Sequence, residues 1–121
     1  MKPHKFRNLK VWQRAIELVE SVYKATSTFP KEELFGLISH IKRSVISIPS
    51  NIAEGSAKSL EKDFNRFLEI SLGSCYELET HLTLANRLEM LETEGYNKLI
   101  FDVHEVQKMI TGLSKSLTTN I

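Results

Sequence analysis

The chain has 121 residues, of which 41% are hydrophobic and 26% are charged, and its formal net charge is +1. This length and composition fit one soluble domain and exclude a disordered tail. A single cysteine excludes an intramolecular disulfide framework and a cysteine-based zinc cluster. No apolar run approaches the roughly 20 residues of a membrane-spanning helix, and the basic first residues are followed by no apolar segment. We therefore expect no secretory signal, no membrane association and a cytoplasmic location.

The charges are distributed unevenly along the chain. Residues 1–50 hold nine Lys/Arg and four Glu, whereas residues 51–121 hold seven Lys/Arg and eleven Asp/Glu. Such asymmetry favours a polyanionic or acidic partner. The first fourteen residues carry basic charges and no acid, and we expect residues 1–8 to form a basic N-terminal arm. The alternative is a solvated segment that only aids solubility.

Four segments show the apolar spacing of amphipathic helices, and none shows the sustained alternation of a strand. The first helix is predicted from about Leu9 to Ala25, with Asn8 as its N-cap. Pro30 is predicted to open the second helix, and Gly55 to terminate it.

The third helix is predicted to begin after Ser59, acting as its N-cap, and to run to about Met90. The fourth helix has a heptad seam of apolar residues, and residues 118–121 are expected to form a loose tail. The links are roughly three to six residues long, which forces consecutive helices to lie antiparallel. The sequence therefore predicts an all-α fold, a single domain over residues 1–121 that forms an antiparallel up-down-up-down four-helix bundle. The seam residues are Tyr96, Leu99, Val103, Val106, Ile110, Leu113 and Leu117.

Pro49 interrupts the pattern of the second helix and predicts a proline kink or a short break there. The polar residues Ser47, Ser50, Asn51 and Glu54 surround it. One interpretation, which we favour, is that they satisfy backbone groups that the kink frees. The other is that these groups, with basic residues on either side, face a phosphate backbone.

We find no constellation of residues for catalysis or for binding a metal. The Glu-x-x-His pairs of metal sites in helical bundles are absent before His40, His81 and His104. Cys75 has the position of a packed core thiol rather than of a nucleophile. We therefore expect no catalytic residue, no metal site and no cofactor.

Segment 47–56, SIPSNIAEGS, is the most distinctive part of the chain. With further segments it resembles the four-helix-bundle proteins encoded within intervening sequences of bacterial 23S ribosomal RNA genes, often called S23 ribosomal proteins. The chain departs from the usual family pattern at His40, Ser44 and Lys58, where Gln, Ala and Arg are common. The further matching segments are residues 6–13, 29–30, 33–37, 41–45, 67–68, 73–74 and 77–80.

The resemblance implies a bundle that assembles into a ring-like homopentamer and has no enzyme activity. It also implies a relation to the accessory variability determinant of diversity-generating retroelements, a basic bundle that binds nucleic acid and a reverse transcriptase. The family motif has a structural or a binding role, and its residues are Ser47, Pro49, Ser50, Asn51, Glu54 and Gly55.

Two functions follow as hypotheses. The first is a non-enzymatic oligomer that binds structured RNA or DNA through a basic surface repeated around the ring. The second is a scaffold or accessory subunit whose partner is another protein, which the low net charge favours. The residues expected to contact phosphate are Lys5, Arg7, Lys10, Arg14, Lys42, Arg43, Lys58 and Arg66.

Overall fold

The computed structural model describes residues 5–33 and 35–119, and four α-helices make up most of them. Two short 3-10 turns, Phe6–Asn8 and Lys31–Glu33, precede the first and second helices. No strand occurs in these ranges, so the predicted all-α class is confirmed. Across the same ranges, no helix combines the length and the apolarity needed to cross a membrane. The helices are α1 (Lys10–Thr26), α2 (Leu37–Ser56), α3 (Glu61–Arg87) and α4 (Thr93–Thr119).

The predicted N-caps of α1 and α3 are both wrong by one residue. The N–H of Asn8 donates to the carbonyl of Lys5 at 2.9 Å, within the first 3-10 turn, and Leu9 holds the cap position. Leu60, rather than Ser59, precedes α3. Both leucines have extended backbones and no side-chain cap bond, so neither helix start has a capping side chain at this position.

Helix α2 begins several residues after Pro30. The proline opens the second 3-10 turn, where the N–H of Glu33 donates to the Pro30 carbonyl at 3.0 Å. The backbone of Gly36 is not helical, and α2 starts immediately after it. The Glu33 carboxylate accepts a hydrogen bond from the N–H of Leu37 at 3.3 Å, so this side chain serves one of the free N–H groups at the helix start.

Helix α3 ends at Arg87 rather than Met90, because Glu89 has a φ of 62°. This left-handed conformation is the one that usually closes a helix, although glycine is the common residue there. The N–H groups of Met90 and Leu91 both donate to the Ala85 carbonyl, at 2.9 and 3.2 Å. A glutamate gives no sequence signal for such an end.

The predicted arm and tail fall partly outside the described residues, since residues 1–4 and 120–121 lie beyond them. Of the remaining arm, Phe6–Asn8 forms the first 3-10 turn. Helix α4 continues through Thr119, so the backbone is helical over the first two residues of the predicted tail.

Each helix contacts two others: α2 lies against α1 and α3, and α4 lies against α3 and α1. Contacts between α2 and α3, and between α3 and α4, pair residues in opposite chain directions, so these neighbours run antiparallel. The complete up-down-up-down arrangement of the bundle stays a prediction. The pairs are His40 with His81, Ser47 with Ser74, Asn65 with Ser114, and Thr83 with Tyr96.

One apolar core lies between the four helices. Five of the seven seam residues predicted for α4 are buried, while Tyr96 and Leu113 are half-buried. Burying a large aliphatic or aromatic side chain contributes about 1.5–3 kcal/mol before chain entropy is subtracted. The largest fully buried side chains are Phe64, Ile41, Ile48, Ile52, Leu68, Leu78, Leu82 and Ile110.

Helix α2 continues across Pro49, so the short break predicted there is wrong, and a kink stays a prediction. Pro49 itself is buried. Beside it, the hydroxyl of Ser71 on α3 donates to the carbonyl of Ile48 at 2.9 Å. Ser71 is fully buried, so this bond satisfies its hydroxyl and joins α3 to α2 next to the proline.

Gly55 lies inside α2 and is buried, so its predicted role as the helix terminator is wrong. A Cβ atom at this position would lie 2.6 Å from Cβ of Phe67 and 3.0 Å from Cδ1 of Phe64. The missing side chain therefore lets α3 approach the backbone of α2. This glycine is required for helix packing, not for a left-handed turn.

Gly55→Ala should lower the free energy of unfolding by about 1–3 kcal/mol, because the added methyl group forces α2 and α3 apart. Gly73→Ala is the matched control: Gly73 is exposed in mid-helix, and its Cβ would meet nothing within 4 Å. That substitution should stabilise by about 0.5–1 kcal/mol. Urea denaturation followed by circular dichroism measures both, and equal effects would contradict the packing role of Gly55.

Candidate nucleic-acid interface

The start of α1, the end of α2, the start of α3 and the end of α4 meet in one half of the bundle. Trp12 and Ala53 line the same groove, Gly55 contacts Phe64, and Asn65 bonds to Ser114. We call residues 5–17, 47–73 and 107–119 the cationic half, and the remaining described residues the anionic half.

The two halves carry opposite net charge. The cationic half holds nine Lys/Arg and five Asp/Glu, whereas the anionic half holds six Lys/Arg and ten Asp/Glu. Folding therefore converts the asymmetry along the sequence into an asymmetry along the bundle. A net charge near zero hides an excess of four positive charges in one half and four negative charges in the other.

Six of the eight predicted phosphate contacts lie in the cationic half, and Lys42 and Arg43 do not. Arg43 is thirteen residues before the end of α2, which is about 20 Å along the helix axis at 1.5 Å per residue. Lys42 lies with its Nζ 4.6 Å from the centre of the Tyr23 ring, and Lys58 makes the same kind of contact with Phe67 at 5.1 Å. The six in the cationic half are Lys5, Arg7, Lys10, Arg14, Lys58 and Arg66.

Arg14 is the member of these six that is engaged in ion pairs. Its guanidinium lies 3.7 Å from the Glu17 carboxylate and 4.0 Å from that of Asp102 on α4. The other five have no carboxylate within 4.0 Å in the described part of the chain. Their charge is therefore available to a polyanion, whereas that of Arg14 is partly neutralised.

Lys62 is a cation that our sequence reasoning left out of the candidate set. It is exposed one turn before Arg66 on α3, and it too has no carboxylate within 4.0 Å in the described ranges. The four-residue spacing puts both side chains on one helix face. This four-residue spacing is visible in the sequence and could have identified Lys62 as a candidate.

The motif around Pro49 divides between two faces of α2. Asn51 donates from Nδ2 to the carbonyl and the hydroxyl of Ser47, at 2.8 and 2.9 Å. The Ser47 hydroxyl lies 2.8 Å from that of Ser74 on α3, so this pair has a structural role. Ser50 and Glu54 are exposed on the outer side of the helix.

An apolar groove of about 330 Å³ lies between α1 and α2 in the cationic half. Phe6 and Trp12 stand at one side in an edge-to-face arrangement, with ring centres 5.1 Å apart. No carboxylate lines the groove, and Ser50 is its one polar lining residue among the described residues. The remaining lining residues are Ile16, Val19, Ile46, Pro49 and Ala53.

A second groove, of about 610 Å³, lies between α3 and α4 in the anionic half. Its wall holds Glu79, whose carboxylate lies 3.1 Å from Nε2 of His104 and accepts a hydrogen bond from Gln107 at 3.2 Å. Arg87 also lines this groove, so its lining has one carboxylate and one guanidinium and no excess of cations that would extend the candidate interface.

Nothing in the described residues assembles an activated nucleophile or a metal centre. No group of three His, Cys, Asp or Glu side chains over residues 5–33 and 35–119 is placed to hold a metal ion. Burial, with a smaller effect of the Glu79 carboxylate, raises the pKa of Cys75 to about 12. The thiol therefore stays protonated at neutral pH, which suits a core side chain rather than a nucleophile.

Two histidines meet where α2 and α3 pack in the anionic half. The rings of His40 and His81 have centres 5.5 Å apart, and Nδ1 of His81 is buried with no hydrogen-bond partner among the described residues. Burial lowers the pKa of His81, Glu77 on the same helix opposes that shift, and His40 adds to it. The folded protein therefore favours the neutral form of His81.

Stability should fall as the pH drops through the ordinary histidine pKa of 6.5, because the unfolded chain then binds a proton that folded His81 resists. His81→Gln should flatten the decline in unfolding free energy between about pH 7.5 and about pH 5.5. His104→Gln, next to Glu79 on the other side of α3, is the control and should keep the decline. Urea denaturation at the two pH values measures the unfolding free energy of each variant. An equal change of that free energy with pH in wild type and His81→Gln would refute the prediction.

Comparison with known proteins gives a family match and a structural neighbour. A family model described as 23S rRNA-intervening sequence protein matches residues 7–112. The fold is similar to the crystal structure of a protein with unknown function from the S23 ribosomal protein family of Bacteroides thetaiotaomicron, with a TM-score of 0.78 and 28% identity. The match covers 87% of this chain and 98% of that one. No curated protein matches the chain.

Proposed function

The chain belongs to the 23S rRNA-intervening sequence protein family, and from that premise we propose that it is a non-enzymatic protein that binds nucleic acid, with structured RNA as its target. The surface that binds is the cationic half. The observation that carries this proposal is the segregation of charge, nine Lys/Arg against five Asp/Glu in one half of a nearly neutral chain.

Side chains, rather than helix dipoles, supply this positive field. Two helices begin and two end in the cationic half, so the partial charges of their termini largely cancel. The cations that lack a carboxylate partner in the described residues can replace the counterions condensed on a phosphate backbone, and releasing those counterions drives binding. These cations are Lys5, Arg7, Lys10, Lys58, Lys62 and Arg66.

Such a surface recognises the shape of an RNA rather than its sequence. Phosphate contacts set the position of the protein on its target but carry no sequence information. The described chain has no β-sheet that could present aromatic residues to a run of bases. Recognition then rests on where the phosphates of a folded RNA lie.

We further propose a homo-oligomer, with the pentamer implied by the family resemblance as the expected state. Repetition of the cationic half around a ring concentrates a positive field that one copy supplies only weakly. Exposed apolar side chains support association: Leu84 is 45% exposed and Ile70 47% exposed on the outer face of α3. Between them, Gly73 leaves room for another backbone to approach.

The second candidate function is a protein-interaction scaffold. Phe35, before α2, is 91% exposed, and Phe101 on α4 is 62% exposed. Exposed aromatic residues are typical anchors of protein interfaces. A partner recovered with the protein after complete nuclease digestion supports this candidate, and loss of all partners on digestion supports nucleic-acid binding.

Lys62→Glu/Arg66→Glu should weaken binding of a labelled RNA hairpin by about tenfold or more, because it reverses two charges of the cationic half. It should also reduce the slope of log affinity against log salt by about two. Lys31→Glu/Arg43→Glu is the matched control, since it makes the same charge change in the anionic half. Fluorescence anisotropy between about 50 and about 200 mM KCl measures both variants. Equal losses would show that net charge, and not the cationic half, determines binding.

A further inference from the structure

The groove between α1 and α2 combines an apolar floor and two aromatic rings, with Arg7 beside one of the rings. Phe6 and Trp12 are half-buried, so each ring keeps an accessible surface beside the groove. Lys5 and Arg7 flank Phe6 in the sequence, and the guanidinium carbon of Arg7 lies 6.0 Å from the centre of the Phe6 ring. Both cations are exposed.

Hydrogen bonds to two backbone carbonyls hold the turn that carries Phe6 beside the groove. The N–H of Leu9 donates to the Phe6 carbonyl at 3.0 Å, which closes the 3-10 turn. Nε2 of Gln13 donates to the carbonyl of Arg7 at 2.8 Å and ties that turn to α1. The turn is therefore ordered before a ligand binds, so binding of a flat ligand costs little conformational entropy.

We propose that this groove receives an unpaired base of the RNA that the cationic half binds. The proposal rests on the proposed function and narrows its target to RNA with a bulge, loop or single-stranded end. An unstacked base buries its faces against aromatic and apolar side chains, while a phosphate next to it reaches Arg7 beside Phe6. A fully paired duplex offers phosphates but no free base.

Charge favours a nucleotide over an apolar protein segment in this groove. The Arg7 guanidinium lies beside the Phe6 ring, and no carboxylate lines the groove in the described residues. The exposed hydroxyl of Ser50 can donate to or accept from the edge of a base. The larger groove between α3 and α4, with Glu79 in its wall, offers no such match.

Trp12 is the single tryptophan of the chain, so its fluorescence reports directly on the groove. The probes are an RNA hairpin with a single-stranded loop and a blunt RNA duplex with the same number of phosphates. The hairpin should bind more tightly and quench Trp12, whereas the duplex should bind through charge alone and leave the fluorescence unchanged.

Two variants separate the groove from the cations. Phe6→Ala removes a stacking surface. Ala53→Leu fills the groove and leaves both aromatic residues in the sequence. Each should weaken hairpin binding by about tenfold and leave duplex binding within about twofold. Phe101→Ala, which removes an exposed aromatic on α4, is the control and should change neither affinity.

The outcomes distinguish this inference from the function on which it rests. Equal binding of hairpin and duplex without quenching overturns the inference and leaves RNA binding intact. Failure of both RNAs to bind overturns the proposed function together with the inference. A change of Trp12 fluorescence with protein concentration, in the absence of RNA, would show that a second copy covers the groove and would also overturn the inference.

Discussion

The close approach of α3 to the backbone of α2 at Gly55 determines where the other features of the cationic half can lie. A side chain larger than hydrogen would meet Phe64 and Phe67 and push the two helices apart. The link from α2 to α3 follows within a few residues, so Lys58 and Lys62 are held close to this contact. The buried bond from Ser71 to Ile48 and the serine pair of Ser47 and Ser74 continue the same interface along the helices. A local steric constraint thereby fixes the position of charged groups, among them Lys58, whose Nζ lies 5.1 Å from the centre of the Phe67 ring.

Much of the fold could be predicted from apolar periodicity, because burial repeats with the helix. The seam of α4 shows this, with Leu99, Val103 and Val106 all buried. Helix ends were less predictable, because they depend on local backbone geometry that composition does not encode. Glu89 in a left-handed conformation and Pro30 in a 3-10 turn are two such cases.

The sequence predicted which residue types form the candidate site. It predicted only in part which of these residues lie close together in space. Basic residues near the start of the sequence and after α2 stood out, but their convergence depends on which helix ends meet in space. Lys42 and Arg43 resemble the others in sequence and lie in the opposite half because α2 runs between them and Lys58. The groove beside Trp12 could not be predicted, since its walls come from a 3-10 turn and two helices.

The opposite charge of the two halves has a consequence for how the molecule meets a charged surface. With almost no net charge, the protein gains little long-range attraction toward a polyanion, but its electric dipole experiences a torque. The torque turns the protein before it contacts the polyanion, so that the cationic half faces the polyanion at first contact. The ordering fades once the distance exceeds the screening length of about 8 Å at physiological salt.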